Sequence, residues 1–495
     1  MSFLLENISV LVVVVPLMAA PVCMFLRNGT VSWTWATSIC VITFVLAILL
    51  IQHVLANGTI IYALGDWAPP WGITHQIDEI GAFVILIVSA VATIALPYAK
   101  QSIEREIPKD RHYLVYCMFL LCLAGLLGMA ATGDAFNLFV FLEVSSLSTY
   151  VLISLGKDRR ALAAALRYLI LGTLGATFYV IGLGMLYQMT GSLNMADLAD
   201  LLPAVQDTQT VHVALAFIFV GFGLKLALFP LHVWLPNAYT YAPSAVTVFL
   251  AATATKVAVY ALIRLTYTVF GDIEPLETYG IRVVILGLAL AGMFAGSMLA
   301  IYQSNVKRLL AYSSIAQVGY MILGISMGNA AGLAGGIIHI FNHAVMKGAL
   351  FMALGCVFYV VGSVKIEDMA GLGKRMPLTA AAFVAGGFSL IGVPLTVGFI
   401  SKWYLVQGAF EAGWWPVAIL IMLSSLLAMI YVWRVVEVMY FRSPPVGHGK
   451  VEEAPLGMLI PTYVLIGAAF WFGIDATFTS EVALSAAESL LGGSQ

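Results

Sequence analysis

The chain has 495 residues, of which 61% are hydrophobic and 10% are charged, and its formal net charge is -2. Soluble globular domains carry about 25% charged residues, so this composition excludes an ordinary soluble domain. A net charge this small gives no basis for a nucleic-acid partner or an acidic soluble substrate. The chain is therefore predicted to lie in a lipid bilayer.

Apolar stretches of about 20 residues, each long enough to cross a hydrocarbon core of roughly 30 Å, recur along the chain. They predict an all-α integral membrane protein with about fourteen transmembrane helices. The N-terminal stretch is long and has no basic flank, so we interpret it as the first span and not as a signal peptide. The predicted spans are residues 3–26, 31–55, 77–99, 112–131, 134–155, 161–188, 211–229, 241–270, 280–302, 306–327, 331–361, 377–410, 416–441 and 455–473.

Lysine and arginine collect in alternate short loops, such as 100–111 and 156–167, whereas loop 189–210 holds only acidic charges. Cytoplasmic loops carry the basic excess, so both termini are expected on the non-cytoplasmic side of a bacterial plasma membrane. The loops contain no nucleotide-binding glycine pattern, and we expect no cofactor in this chain. All five cysteines lie in apolar runs without metal-ligand spacing, which predicts neither disulfides nor an iron–sulfur site and leaves the metal question open.

Several spans contain ionisable residues, each of which costs roughly 2.5–3.5 kcal/mol near a helix centre. Such residues are functional-site candidates, and the alternative is that they form structural ion pairs or extend to the headgroups. Apolar sequence flanks five of them on both sides: Glu143, Lys225, Lys256, Lys347 and Lys402. Three others lie near span ends and fit structural ion pairs equally well: Arg264, Arg434 and Glu437.

The types and spacing of these residues indicate proton transfer. Burial disfavours a charged lysine and a nearby carboxylate restores it, so Glu143 is suited to control the protonation of Lys225. In span 11, His339, His343 and Lys347 follow at i, i+4 and i+8 and share one helical face. Histidine exchanges protons near neutral pH, so this face predicts a hydrated proton path, although a lone membrane histidine is usually a hydrogen-bonded core residue.

Helix breakers lie beside two of the lysines. Pro230 follows Lys225, and Pro394 precedes Lys402. Paired broken helices commonly mark the ion site in transporters built from inverted repeats. We therefore predict broken helices 7 and 12 and four regions: helices 1–3 in 1–111, a first five-helix repeat in 112–270, a second, inverted repeat in 280–441, and helix 14 with a tail in 455–495.

Five segments carry a family resemblance, namely FLEVSSLSTYVLI (141–153), KLALFPLHVWLPNAYTYAPSAVTVFLAATATKVAVY (225–260), NVKRLLAYSSIAQVGY (305–320), HIFNHAVMKGALF (339–351) and GVPLTVGFISKW (392–403). They resemble the antiporter-like proton channel family, which comprises the L, M and N subunits of respiratory complex I, the A and D subunits of Mrp-type sodium/proton antiporters, and related hydrogenase subunits. With the predicted spans, the resemblance covers nearly the whole chain.

The resemblance implies a role for each candidate. Glu143 matches the family's fifth-helix glutamate, Lys225 the lysine of broken helix 7, and Lys256 the lysine that forwards protons to the centre. The central relay is matched by His339, His343 and Lys347, and the exit residue of broken helix 12 by Lys402. The chain departs from the family at Asn237 and Tyr239 (family Asp and His), Ala258 (Gly), Asn305 (Asp) and Leu395 (Pro). The histidine absent at Tyr239 leaves the cytoplasmic entry route least defined.

Within the family, the length and the segment KIEDMAGLGKRMP (365–377) look most like a D subunit of Mrp-type antiporters. This implies a proton-translocating subunit of a multisubunit Na+/H+ antiporter, with an Mrp A-type subunit and small subunits as partners and protons and Na+ as cargo. One alternative is a proton-pumping membrane subunit of a complex I-like NADH:quinone oxidoreductase or a membrane-bound hydrogenase, the case in which the chain would belong to an enzyme. The other is a scaffold without transport, which the cost of so many buried charges disfavours.

Overall fold

Helices make up nearly all of the structure, a computed structural model that describes residues 5–271, 280–444 and 452–492. Thirteen helices in these ranges are long and apolar enough to cross a membrane. The remaining predicted span, 377–410, is a broken helix whose halves have 15 residues each. The all-α membrane fold predicted from the sequence is thereby confirmed. The ends of two predicted regions, residues 1–4 and 493–495, lie outside the described residues.

We number the helices α1 to α15 in chain order. The first six are α1 (Ile8–Leu26), α2 (Gly29–Asn57), α3 (Glu79–Glu106), α4 (His112–Ala131), α5 (Ala135–Ser154) and α6 (Arg160–Thr190). Three interrupted helices are α7a (Gln209–Leu226) with α7b (Leu235–Tyr241), α8a (Ser244–Ala252) with α8b (Ala254–Arg264), and α12a (Pro377–Ile391) with α12b (Val397–Glu411). The others are α9 (Ile281–Ile301), α10 (Val306–Met327), α11 (Ala330–Val361), α13 (Trp415–Phe441), α14 (Leu456–Ile474) and α15 (Thr477–Leu490).

Shorter elements connect these helices. Strands β1 (Ile60–Ala63) and β2 (Thr74–Ile77) pair antiparallel, with Ile60 opposite Ile77. Single helical turns and short helices occupy Leu64–Asp66, Lys109–Arg111, Met195–Leu201, Leu202–Ala204, Glu367–Met369 and Leu372–Arg375, and a π-helical turn, Leu265–Val269, extends α8b.

Short polar side chains define where several helices begin. Residues that accept a hydrogen bond from a backbone N–H of the first turn are Asn28 at α2, Asp78 at α3, Asp134 at α5, Asn305 at α10 and Asn329 at α11. A cap of this kind stabilises a helix by about 0.5–2 kcal/mol. Asparagine and aspartate cap almost equally well, so Asn305 fulfils this role without the charge that the family usually places there.

The breaks in α7 and α12 occur where the sequence predicts them. The α7a segment ends at Leu226, and Ala227 takes the left-handed conformation with φ 60° before Pro230. The α12a segment ends at Ile391, and the next residue, Gly392, has a φ of 90°, a value that favours glycine because it has no Cβ. Leu395, in the position where the family has a second proline, also has a positive φ, of 71°.

A third break, in α8, departs from the sequence-based prediction. Span 241–270 is predicted as one continuous helix, but Thr253 departs from helical geometry with φ -124° and ψ -59°. The Thr253 hydroxyl donates to the carbonyl oxygen of Phe249 at 2.7 Å. A threonine that bonds back to the preceding turn bends helices, and this accounts for a break in a stretch without proline or glycine.

Helices α8, α10 and α11 are among the most enclosed of the bundle. In the most apolar 18 residues of α10 and of the α8 span, 94% of the positions are buried, and in α11 the share is 78%. In α6, α9 and α13 it is 39%. The ionisable groups of α8 and α11 therefore lie in the interior of the bundle and not on its apolar outer surface.

Candidate functional site

The seven predicted site residues lie on five elements. Glu143 is on α5, Lys225 on α7a, Lys256 on α8b and Lys402 on α12b, whereas α11 carries the other three: His339, His343 and Lys347. All except Glu143 are buried. We call these seven residues the proton file, after the role that the sequence predicts for them.

Glu143 and Lys225 form an ion pair at the first end of the file. Lys225 Nζ lies 3.4 Å from Glu143 Oε1, and the two side chains are 4% and 22% exposed, respectively. The ammonium also donates to Ser146 Oγ at 2.7 Å. Glu143 and Ser146 are three residues apart on α5, so one helical face presents both groups to the lysine.

A small cavity lies between Lys225 and the helix that carries Lys256. Its volume is about 20 Å³, and its lining includes Ser145, Thr149, Ala254 and Ala258. A water molecule needs roughly 10–15 Å³ of such space and polar partners, and two hydroxyls and an ammonium provide them here. Ala258, which replaces the glycine usual in the family, contributes its methyl group to this wall.

Two lysines bind the free carbonyls at the ends of broken helices. Lys256 Nζ donates to the carbonyl oxygen of Ala251 in the last turn of α8a and lies 3.3 Å from Thr255 Oγ1. Lys402 Nζ donates to the carbonyl oxygen of Ile391, in the last turn of α12a, at 2.6 Å and to Ser425 Oγ at 2.8 Å. The last carbonyls of a helix have no partner within it and carry partial negative charge, so both breaks create cation sites.

The α11 residues line up as the i, i+4, i+8 spacing predicts. Lys347 Nζ donates to the carbonyl oxygen of Leu310 at 2.8 Å and to the Ser313 hydroxyl. The rings of His339 and His343 are nearly parallel, with centroids 6.1 Å apart. Both ring nitrogens of His343 are buried and meet no hydrogen-bond partner among the described residues.

His339 connects α11 to Lys402. Its Nδ1 lies 2.8 Å from Ser401 Oγ, and its Nε2 lies 2.9 Å from Gln317 Oε1. The Tyr320 ring centroid lies 5.5 Å from that of His339 and 5.0 Å from Lys402 Nζ. A histidine, a tyrosine and a lysine therefore meet where α10, α11 and α12b pack together.

Electrostatic interactions link neighbouring members of the file. Lys256 interacts with both His343 and Lys347, and His339 interacts with Lys402. Among the ion pairs of the described residues, one involves a lysine of the file, the pair of Lys225 with Glu143. The other three lysines donate to carbonyls and hydroxyls, which solvate an ammonium without fixing its charge.

The charges near span ends have structural partners. Arg264 forms a bidentate ion pair with Asp78 at 2.5 and 2.7 Å. Burial raises the pKa of Asp78, but the adjacent guanidinium and the backbone N–H of Gly81 outweigh burial and hold the pKa below its ordinary value. Arg434 donates to the carbonyl oxygens of Ile301 and Gln303, and Glu437 pairs with Arg442 at 3.2 Å, not with Lys402. Arg264 and Arg434 connect separate helices, Glu437 forms an ion pair at the end of its own helix, and all three lie outside the file.

Tyr239 stands at the position where the family usually has histidine. It is buried, and its hydroxyl donates to the carbonyl oxygen of Leu250 at 3.3 Å and interacts with Thr255. The tyrosine therefore contacts the same end of α8a that holds Lys256. Tyr239 therefore provides a hydroxyl at the position where the resemblance leads us to expect an imidazole.

Sequence reasoning missed the neutral partners of the charged residues. They are Ser146, Thr255, Ser313, Gln317, Tyr320, Ser401 and Ser425. Six of them fall within the five family-like segments, so the motif spacing was the available signal, and Ser425 lies outside every segment. Among the described residues, no group of three or more His, Cys, Asp or Glu side chains is arranged to hold a metal ion.

Comparison with known proteins identifies the relatives of this chain. The N subunit of NADH-quinone oxidoreductase from Desulforudis audaxviator (strain MP104C) is 44% identical over 478 residues, which cover 93% of this chain and 94% of the relative. The D subunit of the Na(+)/H(+) antiporter from Bacillus subtilis (strain 168) is 29% identical over 495 residues, with 98% of both chains covered. A chain of the membrane-bound sulfane sulfur reductase, an archaeal respiratory membrane complex, superposes with a TM-score of 0.90 at 33% identity over 98% of both chains.

The family model described as NADH:quinone oxidoreductase/Mrp antiporter, TM, matches residues 132–428, the part of the chain that contains all seven residues of the proton file. The chain therefore belongs to the NADH:quinone oxidoreductase/Mrp antiporter transmembrane family.

Proposed function

We propose that the chain is the proton-translocating subunit of a multisubunit Na+/H+ antiporter in a bacterial plasma membrane, and that protons cross it along the proton file. One observation carries the proposal. Buried ionisable groups follow one another from the Glu143–Lys225 pair through α8b and α11 to Lys402. At roughly 2.5–3.5 kcal/mol each, these groups are costly for a scaffold to keep.

Glu143 acts as the switch at the entrance. While it lies beside Lys225, the ammonium is stabilised, and when it moves away the lysine loses the carboxylate that favours its charge. The proton then passes across the cavity toward Lys256. The basic loops favour a cytoplasmic location for the loop side of the bundle, which supports proton entry from the cytoplasm and termini on the opposite side.

Mutual repulsion moves the proton through the centre. Lys256 and Lys347 interact closely enough that two protonated ammonium groups oppose each other. The unpartnered nitrogens of His343 provide the next acceptor, and the parallel ring of His339 leads to Lys402. Lys402 can leave its proton on the exit side because carbonyls and a hydroxyl hold it there in place of a carboxylate.

A complex I-like or hydrogenase-like assembly is the second candidate. The 44% identity with a protein named as the N subunit of NADH-quinone oxidoreductase and the 33% identity with a chain of an archaeal respiratory complex favour it. The antiporter proposal draws on the Bacillus subtilis antiporter relative, which aligns over 98% of both chains. In both cases the same file carries the protons, and what differs is the partner set: Mrp A-type and small subunits in one case, a redox module in the other.

The experiment compares everted membrane vesicles from the source organism with vesicles from a strain that lacks this gene. A Na+ pulse should collapse a preformed pH gradient in the first and not in the second, with recovery on complementation. If the deletion leaves the Na+ response intact but abolishes proton uptake driven by a respiratory electron donor, the redox assembly is correct and the antiporter is wrong. If both responses survive while the complex falls apart, the chain is a scaffold.

A further inference from the structure

A polar cavity that opens to the outside lies apart from the proton file, at the beginning of α6. Its volume is about 360 Å³, and it is lined by α6, α7b and the first turn of α10. Three arginines line it, namely Arg160, Arg167 and Arg308, together with Asn237 and Tyr241. We call it the arginine cavity.

The positive charge in the arginine cavity is only partly compensated. Arg160 pairs with Asp158 at 2.7 Å and lies over the Tyr241 ring. Among the described residues, neither Arg167 nor Arg308 has a carboxylate within 4 Å, and the buried Nε of Arg308 has no hydrogen-bond partner. A buried donor without a partner is costly, and two like charges at one cavity repel each other. An anion in the cavity would relieve both costs.

The backbone adds to this preference for an anion. Arg160 is the first residue of α6, and Arg308 lies in the first turn of α10. The positive ends of two helices therefore meet at the cavity, where Asp158 Oδ1 accepts from the backbone N–H of Arg160 and Asn305 Oδ1 accepts from that of Arg308. The helix dipoles favour negative charge here, and a planar guanidinium binds phosphate in a bidentate manner.

An apolar stripe on α6 begins beside the arginine cavity. Leu162, Leu166, Ile170 and Leu174 follow at intervals of four residues and are 45–55% exposed. Residues four apart share a face of a helix, so the stripe runs down the outer surface of the bundle from the cavity. A free phosphate ion would make no contact with this apolar stripe. A phospholipid would place its phosphate in the cavity and an acyl chain along the stripe.

We propose that the arginine cavity binds the phosphodiester of an anionic membrane phospholipid, with Arg167 and Arg308 as the main phosphate ligands. Basic pockets between transmembrane helices bind acidic headgroups in this way. The site is separate from the proton file, so it does not depend on the proposed transport reaction.

The test measures retention of phosphatidylglycerol on the purified full chain by native mass spectrometry, after exchange from phosphatidylcholine vesicles that contain it. Loss of each guanidinium should weaken binding by about fivefold, so R167Q alone and R167Q with R308Q should bind progressively less lipid. The matched control is K109Q, which removes one charge from an exposed loop of the same membrane face and should bind like wild type. Excess inorganic phosphate should not displace the lipid.

Wild-type retention by the double variant would overturn the proposal. Displacement of the lipid by inorganic phosphate alone would assign the cavity to a free anion. The side chain of Arg167 is exposed, so R167Q should fold as wild type does, and its thermal unfolding in pure phosphatidylcholine provides that check. If the assembled complex retains no lipid because a partner subunit covers α6, the lipid assignment is likewise wrong.

Discussion

At the scale of single residues, every lysine of the proton file donates to a hydroxyl. The partners of Lys225, Lys256, Lys347 and Lys402 are the side chains of Ser146, Thr255, Ser313 and Ser425. A hydroxyl both donates and accepts, so it can hold an ammonium or a neutral amine without a change in position. The lysines are thus solvated in either protonation state, which a group that gains and loses a proton requires.

The charged members of the file were predictable and their hydroxyl partners were not, for a physical reason. An ionisable residue in an apolar span is costly and therefore stands out in a sequence. A serine in an apolar helix does not stand out, because its hydroxyl can donate a hydrogen bond to a backbone carbonyl of the same helix, as Ser425 does to Ile421. Which serines face a lysine depends on helix packing, and Ser425 is presented to Lys402 from α13, a different helix.

Glu143 provides the first test at this scale. Two charges about 4 Å apart attract by roughly 4 kcal/mol at an effective dielectric constant of ~20, so removal of the carboxylate uncouples Lys225 from its switch. E143Q keeps the shape of the side chain and should slow Na+-driven proton movement in vesicles by more than about tenfold, since ~1.4 kcal/mol already corresponds to tenfold.

The matched control is E437Q, which neutralises a membrane carboxylate that pairs with Arg442 outside the file. It should transport at the normal rate. Normal transport by E143Q, at equal abundance of the assembled protein, would show that Glu143 is not the switch.

At the scale of elements, helix breaks organise the site. Lys225 lies in the last turn of α7a, and Lys256 and Lys402 reach back to the last turns of α8a and α12a. Proline and glycine make the α7 and α12 breaks visible in the sequence. The α8 break depends on the single hydroxyl of Thr253, a residue that continuous helices also contain, so it could not be recognised in advance.

Two further elements escaped prediction. The sequence predicts α15 as part of a tail, because its short side chains do not form a stretch apolar enough to span a membrane. It packs on α3 and α11, and Ser485 Oγ donates to Glu79 Oε1 at 2.8 Å. The β1–β2 hairpin is stabilised by contacts distant in sequence, including the hydrogen bond of His75 Nδ1 with the carbonyl oxygen of Ser9 at 3.1 Å. Such tertiary contacts leave no local pattern.

His75 makes the hairpin sensitive to pH. Burial lowers its pKa from 6.5 to about 4, and the hydrogen bond to Ser9 opposes this only in part. Between those two values the unfolded chain binds more protons than the folded chain, so the free energy of unfolding falls as the pH decreases from 7 toward 4, by up to about 3 kcal/mol. H75Q cannot titrate and should lose this part of the pH dependence.

Thermal unfolding of wild type and H75Q in detergent at pH 7 and pH 5 measures the difference. The control is H53Q, which changes a partly exposed histidine at the end of α2. Equal pH-dependent losses in wild type and H75Q would mean that His75 does not contribute to the acid sensitivity.

At the scale of the whole molecule, the centre of the file lies on the enclosed helices α8 and α11, whereas α6, α9 and α13 are the more exposed helices. The number of spans, the two predicted breaks and the family could all be predicted from the sequence, because hydrophobic runs, breakers and motif spacing are local signals. The division into inverted repeats, 112–270 and 280–441, remains a prediction, as do the direction of transport and the orientation of the termini. The direction of transport and the orientation of the termini depend on a membrane and on partner subunits that a single chain does not specify.

The central claim is that protons leave through a group that must itself take up and release a proton, and Lys402 is the residue at which this is tested most directly. The measurement is Na+-driven proton flux in proteoliposomes of the assembled complex with K402A, K402R, K402E and the control K374A, which removes an exposed lysine at the start of span 12. Alanine cannot carry a proton, and arginine keeps its proton at any physiological pH. Both should lose about a hundredfold or more of the flux, whereas glutamate should retain part of it and K374A all of it. Wild-type flux in K402A or K402R, with the complex intact, would contradict the account.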